Sequence, residues 1–280
     1  MKKHMTAGGY IWTFVKYFSL VFFSFIAVLP LVSCIVTAFK NDEEYASTNV
    51  MALPKKWEFS NFSKAFETAD MGRAFVNSLI VLIFVLIGAV LVGTMLAYAL
   101  NRFKFVGNGL VRNLFLFASL LPGVAMQVTV YNIMGDLGFI NHLYGYIIMM
   151  MGTDIISIYI FIQFMENIPN SLDESAIIDG CSYFGIYWRI ILPLLKPAIV
   201  TSVILKGVST YNEYYAASLY LQNPEVKTVA VSLYTFTGPL GSRYNLICAG
   251  VLISMLPALI VFILCQKQIY SGITAGAVKG

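Results

Sequence analysis

Three groups of residues in this 280-residue chain could do chemistry that an apolar sequence alone could not. The first lies between Ile168 and Pro197, where Asp173, Glu174, Asp179 and Arg189 alternate with Leu172, Ala176, Ile177, Phe184, Ile186, Tyr187 and Trp188. A carboxylate near a helix start suits the positive end of the helix dipole and can meet a cation on another protein. The second group is a pair of isolated charges, Asp154 and Lys206, each set within a long apolar run. An unpaired charge in lipid is costly, so such residues usually face a cavity or a partner. The third is Tyr211-Asn212-Glu213-Tyr214, whose amide, carboxylate and aromatic faces suit a saccharide. Each group also has a plainer reading. The first could be a surface loop. The second could reflect a misplaced span boundary, with Lys206 snorkelling and Asp154 near the outer surface. The third could belong to an interfacial aromatic belt.

Other chemistries find no support. His4 and His142 are isolated and have no metal-ligand spacing with Cys, Asp or Glu. Cys34, Cys181, Cys248 and Cys265 form no Cys-x-x-Cys pair, so neither a disulfide framework nor a zinc site is expected. No Gly-x-x-x-x-Gly-Lys-Ser/Thr loop is present, so the chain is not expected to hydrolyse ATP or to carry a cofactor of its own. No Ser/His/Asp arrangement points to a hydrolase.

The elements that must position these groups are membrane helices. Hydrophobic residues make up 59% of the chain and charged residues 11%, which a soluble fold of this size could not bury. A bilayer crossing needs about 20 apolar residues. Runs of that kind are expected at Tyr10–Phe39, Arg73–Tyr98, Leu110–Tyr131 (broken by Pro122-Gly123), Tyr144–Met165, Lys196–Tyr220 and Asn245–Gln266. The first is too long for a secretory signal and lacks a cleavage site. The reading is therefore an all-α, polytopic membrane protein with six transmembrane helices. Residues 1–72 form an N-terminal helix and outer loop, and residues 73–280 form the core. The polar loop from Asn41 to Gly72 is expected to hold a short helix from Ser60 to Thr68.

Six spans put both termini on one side. Lys2, Lys3, Arg102, Lys104, Arg112, Arg189, Lys196, Lys267 and Lys279 fall on the terminal side, against Lys40, Lys55, Lys56, Lys64, Arg73, Lys227 and Arg243 opposite. That modest excess favours cytoplasmic termini and a cytoplasmic 168–197 segment.

Local signals divide that segment into two short amphipathic helices. Pro169 ends the preceding helix. Ser171 and Glu174 fit a capping box, so a helix should start there. Gly180 should stop it. A second helix should run from Tyr183 to Ile190, before Pro193 and Pro197 re-aim the chain.

Glu174-Ser175-Ala176, Gly180, Ile190 and Leu192-Pro193 resemble, in order and spacing, the E-A-A…G…I-x-L-P signature of binding-protein-dependent ABC importer permeases. Ser175 stands where Ala is usual and Cys181 where Ala is common; both are small. Asn77-Ser78, Ala97-Tyr98-Ala99, Tyr211-Asn212-Glu213 and the tail Gly272–Gly280 are similar to the carbohydrate branch, in particular the smaller permease subunit of maltose-type and oligosaccharide importers. Tyr211 replaces the usual Trp. The resemblance implies the type I importer permease fold in a bacterial cell membrane. It implies a coupling helix near 169–192 that docks into a cleft on a cytoplasmic ATPase through Ser171, Asp173, Glu174, Ser175, Ala176, Asp179, Gly180, Ile190, Leu192 and Pro193. It also implies a second homologous permease, two ATPase subunits that bind the ATP and Mg, and an extracellular solute-binding protein. The Gly-rich tail would reach the ATPase interface. Asp154, Lys206, Tyr211, Asn212, Glu213 and Tyr214 are then candidates for the substrate path. Rival readings are an importer of acidic sugars or another polar solute, with Lys206 as the hint, a secondary transporter and an enzyme acting on lipid-linked sugars. No internal repeat supports the second, and no acid cluster supports the third.

Overall fold

The computed structural model describes residues 7–152, 154–238 and 241–277. Helix α1 (Ala7–Ala38) takes up the first apolar run. Helices α2 (Asp42–Ser47) and α3 (Ser60–Thr68) occupy the polar stretch after it, and α3 has the bounds expected from sequence. Helix α4 (Met71–Arg102) is the second long apolar helix. Helices α5 (Asn108–Leu120) and α6 (Gly123–Asp136) meet at a 105° bend. Its cause is local: Leu121, which precedes Pro122, takes an extended conformation (φ −73°, ψ 128°), and Pro122 brings no N–H to the ladder.

Helices α7 (Leu143–Met151) and α8 (Ile155–Met165) are bent by 42°. Helix α9 (Ser171–Ile178) follows, then α10 (Tyr183–Ile186), a π turn (Tyr187–Ile191) and α11 (Leu192–Leu194). The chain then turns by 73° into α12 (Lys196–Tyr211). Helix α13 (Tyr215–Tyr220), a 3₁₀ turn (Pro224–Val226), α14 (Val229–Ser232) and a second 3₁₀ turn (Leu233–Phe236) lead to a small ribbon. There β1 (Thr237–Gly238) pairs antiparallel with β2 (Gly241–Ser242). Helix α15 (Tyr244–Ala277) closes the described chain.

Among the described residues, three single helices are long and apolar enough to cross a membrane: Ile11–Ala38, Met71–Arg102 and Tyr244–Gln266. The count rises to six when each of the three bent helix pairs is one crossing. Counted that way the number agrees with the six expected spans, but the fifth crossing pairs Tyr183–Leu194 with Lys196–Tyr211. The fifth was expected to continue to Tyr220, but its helix stops at Tyr211, where Asn212 caps the end and the chain restarts as α13.

The described chain divides into two compact units. The first holds the residues up to Met71 together with Leu233–Leu256. Its organising points are Phe39 and Lys40. The Phe39 ring contacts Trp57, Phe59 and Phe62 at centroid distances of 5.0, 5.1 and 5.1 Å. Lys40 is buried, and its Nζ donates to Thr48 Oγ1 (3.1 Å) and to the Asn49 carbonyl (2.6 Å). The Asn61 amide donates to the carbonyls of Ala38 and Lys40 at 2.9 and 2.8 Å, satisfying acceptors that the end of α1 leaves open. Before α3, the Ser60 hydroxyl donates to Glu58 and holds its carboxyl below the usual range.

The second unit holds Gly72–Ser232 and the chain from Pro257 on. One of its cores gathers Tyr98, Phe161, Met165, Ile186, Tyr187, Ile191 and Leu195 from α4, α8 and the 183–195 segment. Another gathers Val81, Val85, Met134, Tyr146, Tyr220 and Leu221. Gly93 permits the first of these: a Cβ there would lie 2.9 Å from the Phe161 ring. Asn77 and Ser78, placed among the carbohydrate-branch residues by sequence, have a defined structural task. The Asn77 amide donates to the carbonyls of Glu225 and Lys227 (2.9 and 3.0 Å), and Ser78 Oγ accepts from the Val229 N–H (2.9 Å). Together they pin the 224–229 segment to α4.

Candidate coupling site

The segment from α9 to α11 folds as an elbow. Helix α9 starts at Ser171 as expected, but not by a capping box. Asn170 is the N-cap residue, its backbone is already helical, and its side chain makes no cap bond. Its Oδ1 accepts instead from the Arg102 guanidinium. Gly180 does stop α9. At φ +82° it occupies the left-handed region, its N–H donates to the Ile177 carbonyl and the Cys181 N–H to the Ala176 carbonyl, both at 2.9 Å. That pair of bonds is a Schellman C-cap.

Ser182 then caps α10 by accepting from the Gly185 N–H at 3.2 Å, a cap the sequence reading did not assign. The helical path does not end at Ile190 as expected. It widens into the π turn, where the Leu192 N–H reaches back five residues to the Tyr187 carbonyl, and it continues through Pro193 to Leu194. Pro193 cannot donate to Arg189, and a widened turn just before it accommodates the missing bond.

The elbow has an inner and an outer face. Asp173, Ala176, Ile186, Tyr187 and Ile191 are buried, whereas Ser171, Glu174, Ser175, Asp179, Gly180 and Pro193 are exposed, and Ile190 and Leu192 are half-buried. The outer face carries exposed apolar side chains. Ile178 is 86% exposed, Phe184 64% and Trp188 52%. The Phe184 and Trp188 rings stack with centroids 6.3 Å apart. The elbow also carries the exposed carboxylates of Glu174 and Asp179.

Asp173 belongs to the inner face. Its Oδ2 lies 3.0 Å from Arg102 Nε, with both side chains about nine-tenths buried. Its Oδ1 accepts from the Tyr98 hydroxyl at 3.3 Å. Arg102 Nη2 also donates to the Ile168 carbonyl at 2.9 Å. One helical turn before Tyr98, Thr94 Oγ1 and the Tyr187 hydroxyl are 2.8 Å apart and buried. Thr94, Tyr98 and Arg102 therefore form a polar stripe along one face of α4, at four-residue spacing, and all three engage the elbow. Sequence reading missed this stripe. Its signal was present: three hydrogen-bonding side chains at i, i+4 and i+8 in an apolar helix. A weaker tie, Arg112 to Glu166 at 3.3 Å, lies in a more exposed position beside it.

The lone charges lie elsewhere in the second unit. Asp154 occupies the N-cap position of α8, at the break with α7, and accepts from Ser157 Oγ. Ser202 of α12 donates to Ser157, so a polar chain joins the two helices. Lys206 follows one turn along α12. It forms no ion pair with Asp154 within 4.0 Å, since the ion pairs of the second unit's described residues join Arg73–Glu225, Arg102–Asp173 and Arg112–Glu166. The charges that reach Lys206 are those of Asp154 and Glu213.

Asn212 and Glu213 work at helix ends. Asn212 Nδ2 donates back to the Val208 carbonyl at 2.9 Å, and Glu213 Oε1 accepts from the Ala216 N–H at 2.9 Å. Tyr211 and Tyr214 flank them at the break between α12 and α13. Nearby, Tyr131 and Tyr146 pack against Tyr220, whose hydroxyl accepts from Gln127 Nε2 at 3.1 Å. In the C-terminal tail, α15 continues to Ala277, while Val278–Gly280 lie outside the described residues, as do Lys2 and Lys3. The four cysteines are free thiols, and no cluster of metal-binding side chains occurs among the described residues.

Fold and composition define a polytopic helical membrane protein with an elbow that exposes apolar side chains. Residues 89–273 match the family described as "Binding-protein-dependent transport system inner membrane component", and the chain belongs to that family. It is 32% identical over 257 residues to a probable starch degradation products transport system permease protein of Thermoanaerobacterium thermosulfurigenes, covering 91% of this chain and 93% of that one. It is 31% identical to the galactooligosaccharides transport system permease protein of Bacillus subtilis over the full length of both chains. Its fold is similar to that of a bacterial ABC transporter involved in the import of the acidic polysaccharide alginate, with a TM-score of 0.83, 21% identity, and 95% and 99% of the two chains covered. The type I permease fold expected from the signature residues is the fold observed.

Proposed function

We propose that this chain is a permease subunit of an ATP-driven importer of sugars or oligosaccharides. The observation that carries this reading is the exposed apolar elbow around Ile178, Phe184 and Trp188, at the place where the family signature sits. A cytoplasmic ATPase subunit docks on that face, and Glu174, at the exposed start of α9, meets a basic residue of the partner. A second permease of the same family completes the pore, and two ATPase subunits bind and hydrolyse ATP with Mg. An extracellular solute-binding protein delivers the sugar. Both termini lie in the cytoplasm, in line with the Lys/Arg excess on the terminal side. The chain itself has no catalytic role. ATP-driven closure of the ATPase pair pushes the elbow and exchanges inward- and outward-facing states.

Relatives named for starch products, galactooligosaccharides and melibiose, raffinose and stachyose support a saccharide substrate. Asp154, Lys206 and the Tyr211–Tyr214 turn line its path.

The test is co-purification. A tagged chain expressed with its neighbouring transport subunits brings down an ATPase, and Ile178→Asp or Glu174→Lys releases it or uncouples hydrolysis from uptake. An assembly with no ATPase, or an ATPase held equally well by both variants with coupling intact, refutes the reading.

A further inference from the structure

We propose that Arg102 is a positioning residue: its buried ion pair with Asp173 is a strut that makes α4 and the elbow move as one body. This rests on the elbow being the surface that an ATPase pushes. It adds which span receives the push, and it takes Asp173 out of the docking face.

The elbow is continuous in sequence with α8 and α12, but both links are bent. The chain leaves α8 through the turn at Asn167–Asn170, and it enters α12 across the 73° turn at Leu195. A push carried along such joints is partly lost in changing their angles. The grip on α4 is of another kind. Arg102 holds Asp173, Asn170 and the Ile168 carbonyl, which are the start of α9 and the turn before it. Tyr98 holds Asp173 from one turn back, and Thr94 holds Tyr187 from two turns back. The start of the elbow and its π turn are thus fixed to one face of one helix.

Charge makes Arg102 the decisive member. Nε and Oδ2 lie 3.0 Å apart, and neither atom forms a hydrogen bond, so the contact is one of charge. Truncating either residue leaves a buried charge without its counter-ion, which is far more costly than losing an exposed pair. The adjacent Arg112–Glu166 pair is such an exposed pair, with 31% and 52% of the two side chains accessible, and it serves as an internal control.

The experiment uses the complete importer, with both permeases, both ATPases and the binding protein, reconstituted in liposomes. Uptake per ATP hydrolysed is measured for Arg102→Asp, Asp173→Arg, the double exchange, Glu166→Gln and the milder Arg102→Lys and Tyr98→Phe. Each single charge reversal is expected to retain its ATPase subunits and its ATP hydrolysis while uptake per ATP falls about tenfold, within the range of substitutions along a coupling path. The double exchange restores most of the ratio, Glu166→Gln stays near the native value, and the two mild variants fall between. If a charge reversal prevents assembly, the mild variants decide: a lowered ratio in assembled Arg102→Lys supports the strut, and an unchanged one overturns it. Loss of the ATPases from assembled Asp173→Arg, native ratios in the single variants, or no recovery in the double exchange also overturns it. In each of those cases the native importer remains coupled. A native complex without ATPases would instead sink the reading of the elbow, and the strut with it.

Discussion

Thr94 and Tyr187 share a buried hydrogen bond of 2.8 Å that joins the C-terminal part of α4 to the π turn of the elbow. Each hydroxyl sits among apolar side chains: Thr94 is fully buried, and Tyr187 belongs to the core formed by Phe161, Ile191 and Leu195. Thr94 Oγ1 also has its own helix to bond to, since the Val90 carbonyl lies 2.6 Å away, whereas the Tyr187 hydroxyl depends on Thr94. The dependence is therefore one-sided.

That asymmetry predicts unequal effects. Thr94→Val strands the Tyr187 hydroxyl and is expected to cost about 1–3 kcal/mol, the penalty of a buried polar group left without a partner. Tyr187→Phe leaves Thr94 bonded to Val90 and should cost less, about 1 kcal/mol. The double variant should cost less than the two singles added together. Thermal unfolding of the detergent-purified chain measures all three, and strictly additive losses would contradict the one-sided bond.

At Gly180 the constraint is the backbone and not space. Its φ is +82°, and a Cβ built there meets nothing within 4 Å. Asn tolerates this conformation and Val does not. Gly180→Asn should therefore leave the stability of the isolated chain within about 1 kcal/mol of native, with Gly180→Val about 1–2 kcal/mol lower. Under the proposed function a bulky residue at 180 also lowers uptake per ATP, because the space in front of the glycine is then filled by the partner. Melting curves of the isolated chain separate the first effect from the second.

Much of this was legible in the sequence, and the exceptions have physical reasons. Span positions follow from runs of Val, Leu, Ile and Phe, which is a local property. So does the start of α3 at Ser60, and so does the bend at Pro122. The stop at Gly180 was readable because a left-handed cap needs glycine. The capping box failed because a side chain distant in sequence, Arg102, claimed Asn170 and set the backbone before Ser171. The second elbow helix was expected to end at Ile190, since proline normally limits a helix; a π turn instead absorbed the bond that Pro193 cannot make. Asp173 was expected in the docking set together with its neighbour Glu174. Two adjacent residues on a helix point about 100° apart, so Glu174 is exposed while Asp173 faces α4. Only the tertiary fold decides which is which.

Glycine contacts rank packing in the second unit. A Cβ at Gly145 would lie 2.6 Å from the Phe139 carbonyl oxygen, a backbone atom that cannot move aside. At Gly88 the nearest atoms belong to the Met151 side chain, Sδ at 2.6 Å on its flexible end and Cβ at 2.8 Å, with no backbone atom among them. Gly145→Ala is expected to destabilise by about 2 kcal/mol or more, and Gly88→Ala by about 1 kcal/mol. Thermal melts of the two purified variants check the order, and equal losses would show that Phe139 yields as readily as methionine.

The polar chain from Ser202 through Ser157 to Asp154 sets up a sharper test of the proposed substrate path. Asp154→Asn keeps an oxygen that can accept from Ser157, so the link between α8 and α12 survives while the charge is lost. Lys206→Met keeps most of the side-chain volume and removes the other charge. Neither change should lower the melting temperature of the chain, because the two residues form no ion pair within 4.0 Å. If both line the sugar's route, each substitution should slow uptake roughly tenfold, about 1.4 kcal/mol on the transport barrier, while the ATPases remain bound. The double substitution separates two roles. Charges that merely balance one another across the path would let the neutral pair recover part of the rate, whereas charges that hydrogen-bond the sugar would make the losses accumulate. Normal uptake in both single variants would remove Asp154 and Lys206 from the path and leave them as helix-packing residues.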